Sequence, residues 1–147
     1  TFILPMLEDL VSQYATPANE KGLSISIKDV ESLQNLFAVF DEKWTAEALG
    51  NLIDNAVKYT EQGNITISVI PYEMFLCIRV ADTGIGIPEQ EHAKVFSRFY
   101  RSESVHDKPG VGIGLFLARE IIALENGYMK VSSRPGKGSV FSTYLPL

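Results

Sequence analysis

The sequence predicts an α/β (α+β) two-layer sandwich, a mixed and mainly antiparallel sheet covered on one face by helices. Three observations carry that expectation. Three stretches repeat apolar residues at helical spacing, and two pairs of strand-like runs are each joined by a turn. A hydrophobic content of 46% in 147 residues is enough for one core, hence a single domain over residues 1–147. A net charge of -5 argues against non-specific nucleic-acid binding. It leaves room for one locally positive site that holds a polyanionic small molecule. The single cysteine, Cys77, excludes an intrachain disulfide and a Cys-rich metal site, and is expected as a small core residue. No run approaches the ~18 apolar residues of a membrane span, and no charged-then-apolar leader opens the chain. A soluble domain in a reducing compartment is the expectation, and Thr1 in place of an initiator Met reads as the cut end of a larger protein.

Residues 2–19 place Phe2, Leu4, Leu7, Leu10, Val11 and Tyr14 at near-helical spacing, with Pro5 tolerated in the first turn and Gly22 as the stop. LSISI alternates like a strand. Residues 36–40, LFAVF, form a short apolar run expected as a buried strand. Over residues 44–59, Leu49, Leu52, Ile53 and Ala56 make one apolar helical stripe. Asn51, Asn55 and Lys58 make a second, polar stripe, with Glu47 beside them. Asn is a mediocre helix former because its amide competes for backbone hydrogen bonds. A plain solvated face accounts for the stripe. So does a row of amide oxygens with an ammonium, suited to a hard cation and phosphates.

After a turn at residues 61–64, ITISVI and MFLCIRV read as an antiparallel pair around Pro71 and Tyr72. On the second run Met74, Leu76, Ile78, Val80 and Asp82 share a face, so a carboxylate closes a core-facing row. Such a group needs a donor. A turn acid bonding its own backbone before Thr83-Gly84 is one solution, and a ligand is another. Residues 89–95 read as a short helix with Pro88 at its first turn. Residues 95–112 are polar and charged without a period, a loop whose length points to function. Gly110, Gly112 and Gly114 then lead into a helix with Leu117, Ile121 and Leu124 on one face and Asn126-Gly127 as its stop. The chain closes with two strands around a turn at residues 135–138. Glycines at a helix N-terminus let backbone N–H groups approach an anion. This run lacks the Gly-Lys-Ser/Thr ending of a P-loop, and no strand-helix-strand unit surrounds it.

In that order, NLIDNAVKYT, DTGIGIP, VFSRFYRS and GVGIGL resemble the N box, first glycine box, F box and second glycine box of the catalytic, ATP-binding domain of bacterial sensor histidine kinases. GKGSVFSTYLP is similar to that family's closing strand pair. The resemblance covers Leu7 to Pro146 and implies the Bergerat fold, with ATP held on the helical side under a lid. It implies that Asn55 ligates Mg2+, that Asn51 lines the phosphate region, that Lys58 pairs with a phosphate and that Tyr59 lies against the adenine. Asp82 would accept from the adenine amino group, with Gly84 and Gly86 admitting the base close to the backbone and Ile87 in the same pocket. Arg98 and Arg101 would help hold the γ-phosphate or its acceptor, with Phe96 and Phe99 anchoring the lid and Tyr100 near the nucleotide. Gly110, Gly112 and Gly114 would hinge the lid, and Val111, Ile113, Leu115 and Ser139 complete the implied nucleotide-binding set. Val111 and Ser139 depart from the Thr frequent in the family. Val111 leaves the backbone donors in place, so a changed lid contact is expected rather than lost binding.

The wider superfamily, with gyrase-type topoisomerases, the heat-shock chaperone and mismatch-repair proteins, resembles this pattern but carries a Glu one turn before the metal Asn as general base for water. Here Asn51 stands at that position, and an amide cannot take a proton. Transfer to a protein side chain fits better than hydrolysis. The family's phosphorylated His is followed by Glu or Asp and, five residues on, by Pro. His92 is followed by Ala93-Lys94, and His106-Asp107 has Pro109 too close, so both are expected as ordinary exposed residues. The resemblance thus implies the kinase domain of a two-component sensor, donating the ATP γ-phosphoryl to a His on its own separate dimerisation and phosphoacceptor segment. A response regulator would act downstream, and neither nucleic acid nor direct membrane contact is expected. The domain would be cytoplasmic, within a full-length protein that can be anchored in the bacterial membrane. An anti-sigma-factor type serine kinase is the first alternative, and the FYR run argues against it. A nucleotide-responsive interaction module is the second, opposed by Lys58, the two lid arginines and the metal Asn.

Overall fold

The computed structural model describes residues 1–96 and 114–147. Helix α1 (Ile3–Glu20) carries Pro5 in its first turn, where the missing N–H has no helical partner to lose. It buries Ile3, Leu4, Met6, Leu7 and Leu10. It ends in a Schellman turn: Gly22 takes φ +77°, Leu23 N–H donates to Ala18 O, and Gly22 N–H donates to Asn19 O. Strand β1 (Ser24–Ile27) follows. Helix α2 (Glu42–Tyr59) starts at Asp41, whose side chain accepts from Trp44 N–H at 3.0 Å. Its stripe of Leu49, Leu52, Ile53 and Ala56 is buried as expected.

Strands β2 (Asn64–Pro71) and β3 (Phe75–Asp82) form the first hairpin. A 3-10 turn (Glu89–Lys94) stands where a short helix was expected, and helix α3 (Gly114–Leu124) leads to the second hairpin, β4 (Tyr128–Arg134) and β5 (Gly138–Pro146). The sheet order is β1-β2-β3-β5-β4, with β1 parallel to β2 and every other pair antiparallel. Leu76, Ile78 and Val80 of β3, Ile65 and Ile67 of β2, and Phe141 and Leu145 of β5 meet the three helices in one apolar cluster. This is the mixed, one-face-covered sandwich that the patterning predicted. Asp82 closes its row between Ile65 and Ser139. On the far face Tyr128 and Tyr144 stack at 4.5 Å beside Cys77, which is fully buried.

Three further expectations fail. Residues 36–40 form no strand: a single bridge joins Phe37 to Phe2, and Val39 is 91% exposed. The segment is the crossover between β1 and α2, and β1 already takes that edge of the sheet. The face of α3 is also different. Leu115, Ala118 and Ile122 are buried, while Leu117 is exposed and Leu124 is 85% exposed. That helix is apolar on most of its circumference, so periodicity alone could not choose. Small Ala118 on the buried side suits close packing against α2. Met74, expected on the core row, lies just before β3 and is exposed.

Candidate functional site

The DTGIGIP turn leaves β3 at Asp82. Its Oδ1 accepts from Gly84 N–H at 2.9 Å and from Ser139 N–H at 3.2 Å. Oδ2 accepts nothing from the described residues. Burial pushes the carboxyl above its ordinary range, against the two N–H groups that stabilise its ionised form. The two solutions foreseen for this acid therefore coexist: the backbone of its own turn occupies one oxygen, and the other stays open to an outside donor.

The fold itself requires glycine in this turn. A Cβ on Gly84 would overlap the Tyr59 carbonyl, and one on Gly86, at φ +75°, would overlap the Arg134 carbonyl. The close approach at both positions is made by the protein's own chain. Ile85 N–H caps the end of α2 at Tyr59 O (3.2 Å), and Gly136 N–H donates to Ile85 O (2.7 Å). Ile87 N–H donates to Ser133 Oγ at 2.7 Å. Ser133 Oγ in turn donates to Gly138 O at 3.0 Å, which leaves Ser139 Oγ, 2.8 Å away, as a donor to it. The loop is thus docked on α2 on one side and on the β4–β5 hairpin on the other.

Along α2, Asn51 and Asn55 are half-buried on the side away from the core stripe, and Glu47 is exposed. Gly114 opens α3 with its Cβ position 3.9 Å from Asn51 Cβ and Cγ, so the second glycine run ends beside the Asn stripe. Lys58 Nζ lies 3.1 Å from Asp54 Oδ2, both side chains close to half exposed. Tyr59 ends the helix half-buried, and the fully buried Thr60 follows. Thr60 Oγ1 has no hydrogen-bond partner among the described residues, and it and Asp82 Oδ1 each lie 3.0 Å from the Cβ position of Gly84. Asn51, Asn55, Lys58 and Tyr59 thus follow one another along the second half of α2, with Gly114 beside Asn51 and the Asp82 turn against Tyr59.

Leu115 packs into the core rather than the opening, and Ile87 and Ser139 support the turn through their backbone and hydroxyl bonds. Phe96 is buried edge-on against Phe141, centroids 5.9 Å apart, which gives the start of the F box a firm anchor. Arg98, Phe99, Tyr100, Arg101, His106, Gly110, Val111, Gly112 and Ile113 lie outside the described residues. His92 Nε2 is 3.0 Å from Ile87 O, a local contact within its own turn. Sequence reasoning missed Ser133, whose hydroxyl ties the turn to the hairpin, and Thr60. Thr60 had a signal: a Thr directly after the last polar-stripe residues closes the helix at the pocket.

The sequence profile of the histidine kinase-, DNA gyrase B- and HSP90-like ATPases matches residues 40–147. The adaptive-response sensory kinase SasA of Crocosphaera subtropica is 38% identical over 99% of this chain, which covers 38% of that protein. The aerobic respiration control sensor protein ArcB of Escherichia coli is 38% identical over 92% of this chain and 18% of its own length. The chain therefore spans well under half of these relatives. Among solved structures, full-length ShkA in complex with AMPPNP superposes with a TM-score of 0.86 at 26% identity, over 99% of this chain and 30% of that one. The catalytic domain of the histidine kinase ThkA shares the fold, with a TM-score of 0.82 at 23% identity over 99% of this chain and 93% of that one. The chain belongs to the family of histidine kinase-, DNA gyrase B- and HSP90-like ATPases.

Proposed function

We propose that this chain is the ATP-binding catalytic domain of a two-component sensor histidine kinase. In this reading it transfers the γ-phosphoryl of ATP to a His on a dimerisation segment of the same protein, for relay to a response regulator. The observation that carries the nucleotide reading is Asp82, a half-buried carboxylate whose Oδ1 takes both backbone donors while Oδ2 accepts nothing from the described residues. An exocyclic amino group is the donor that Oδ2 asks for, and the aromatic Tyr59 stands at the same helix end to receive a flat base.

The donor set fits a metal carried by the nucleotide. No group of three or more His, Cys, Asp or Glu gathers among the described residues, so a Mg2+ here would take one amide oxygen from Asn55 and the rest from phosphates and water. When bound it would supply charge neutralisation on the phosphate oxygens. The chain's own contribution is positioning. Lys58 would exchange Asp54 for a phosphate, and the N-terminus of α3 at Gly114 would present its positive end to the phosphates beside Asn51. By the resemblance, Arg98 and Arg101 would complete the charge around the γ-phosphoryl. Asn51 has no basic lone pair with which to activate water, which favours transfer over hydrolysis.

The test is labelling with [γ-32P]ATP, with the dimerisation segment supplied separately. The expected product is acid-labile phosphohistidine on the added segment and no label on this chain. Acid-stable label on Ser would favour a serine kinase instead. In binding measurements, Asn55→Ala should abolish the Mg2+ dependence of ATP affinity, and affinity indifferent to both Mg2+ and Asn55 would sink the site.

A further inference from the structure

Lys21 precedes the residues that the family profile matches, in the turn closing α1, yet its ammonium reaches α2. Nζ donates to Val57 O at 2.8 Å and to Lys58 O at 3.1 Å. These carbonyls belong to the last turn of α2, where no intrahelical N–H remains to meet them. The helix runs directly into an extended Thr60 (φ -110°, ψ 119°), without the left-handed residue that would fold a cap back over the turn. One backbone donor from elsewhere, Ile85 N–H, meets Tyr59 O at 3.2 Å. Lys21 itself is fixed by the Schellman turn, since its own N–H donates to Ala18 O and its neighbour Gly22 is left-handed. Its charge stands at the negative end of the α2 dipole. Glu61 Oε1 is 4.0 Å from Nζ, long for a charge-assisted contact, so the two carbonyls are the closer partners.

We infer that Lys21 is a positioning residue for the nucleotide site: by capping Val57 and Lys58 it sets the backbone from which the Lys58 ammonium and the Tyr59 ring project. The inference rests on the nucleotide pocket proposed above and extends it to α1. Beside the apolar packing of α1 on α2, this ammonium gives a displacement of α1 a direct polar route to the backbone of Lys58 and Tyr59.

Lys21→Met keeps the aliphatic stem and removes the donors. In calorimetric titration of the 147-residue chain with Mg-ATP, the dissociation constant should rise roughly five- to tenfold, the scale of a partly exposed charged hydrogen bond. Lys21→Arg keeps donors for both carbonyls and should recover most of that loss. In a Lys58→Met background the effect of Lys21→Met should shrink, because one of the two groups it positions is gone. A lower melting temperature with wild-type affinity, measured well below unfolding, would overturn the inference, as would fully additive losses in the double variant. Should Lys21→Met not fold, Lys21→Gln takes its place, and wild-type affinity in Lys21→Gln also overturns it. Failure of the wild-type chain to bind Mg-ATP would instead refute the nucleotide pocket itself, and this inference with it.

Discussion

Replacing Asp82 by Asn perturbs the oxygen proposed to bind the base while keeping the fold's own acceptor. An amide oxygen at the Oδ1 position still receives Gly84 N–H and Ser139 N–H, at 2.9 and 3.2 Å in the wild type. The amide nitrogen takes the place of Oδ2 and turns an acceptor into a donor. An adenine amino group then loses a hydrogen bond to a charged acceptor worth about 1.5–3 kcal/mol. The dissociation constant for Mg-ATP should rise roughly 10- to 150-fold. Mg-GTP, which offers a carbonyl there, should bind weakly to the wild type and lose little or gain. Ala is the wrong probe, because it strips two backbone donors of their acceptor and costs about 1–3 kcal/mol for each one left buried. The assay is paired titration with both nucleotides, with melting as a control. Equal losses for ATP and GTP, or an unchanged ATP affinity, refute the assignment.

The same substitution has a pH signature. Burial raises the Asp82 carboxyl above its ordinary 3.8 in the folded state, so the fold binds that proton more tightly than the unfolded chain does. The corresponding stability is fully present below the ordinary value and is lost as pH rises through the raised one. Asn has no such proton. The stability of Asp82→Asn relative to wild type should therefore improve between about pH 4 and neutrality, read from denaturant titrations at each pH. A relative stability that stays flat or moves the other way would show that burial does not dominate at this carboxyl.

Gly86→Ala combines a left-handed φ of +75° with overlap on the Arg134 carbonyl, whereas Gly136→Ala has φ +77° and open space. The first should lower the melting temperature by roughly twice the second or more, since strain of about 1–2 kcal/mol is common to both and a displaced loop adds lost hydrogen bonds. Asp54→Asn removes a 3.1 Å partner from Lys58. Both groups are near half exposed, so stability should change by less than about 0.5 kcal/mol in chemical denaturation, while ATP affinity rises because Lys58 no longer leaves a partner. Glu125→Ala removes the acceptor of Asp41 N–H (2.6 Å) and of the fully buried Thr45 hydroxyl. It should cost about 1–3 kcal/mol, and Thr45→Val in that background should restore part of it by removing the orphaned hydroxyl.

The patterning that specified the sandwich was local: the α2 stripe, the two alternating hairpins and the glycine stop of α1 each carry their own periodicity or turn chemistry. The order of boxes singled out Asp82, Asn55 and Lys58 before any geometry was known. What stayed hidden depends on contacts distant in sequence. Whether Leu117 or Leu115 of α3 faces inward is decided by α2, across a helix whose polar positions are limited to Arg119 and Glu120. The requirement for glycine at positions 84 and 86 comes from the Tyr59 and Arg134 carbonyls, one 25 and the other 48 residues away in sequence. Residues 36–40 look like a strand because apolar runs do, but strand formation needs an edge with free donors and acceptors, and β1 holds it.

The two halves of the site differ in how far they are formed beforehand. Around Asp82 the N–H groups of Gly84, Ile85 and Ile87 are spoken for by the protein, and the turn is pinned to α2 and to the β4–β5 hairpin. In the proposed reading, base recognition there would need little rearrangement, because the protein's own hydrogen bonds already hold the turn. Toward the phosphates Lys58 is held by a surface ion pair of small net worth, which a polyanion can replace at little cost. The end of α2 is where the halves meet, since Tyr59 O receives the turn while Val57 O and Lys58 O receive Lys21. The adenine contact through Asp82 should therefore be nearly insensitive to a shift of α1 that leaves the turn in place, whereas the contacts through Lys58 and Tyr59 should follow it. Binding of adenosine, compared with ATP across the Lys21 variants, separates the two: a loss that grows with phosphate number supports this division, and a loss equal for both ligands places the coupling at the base instead.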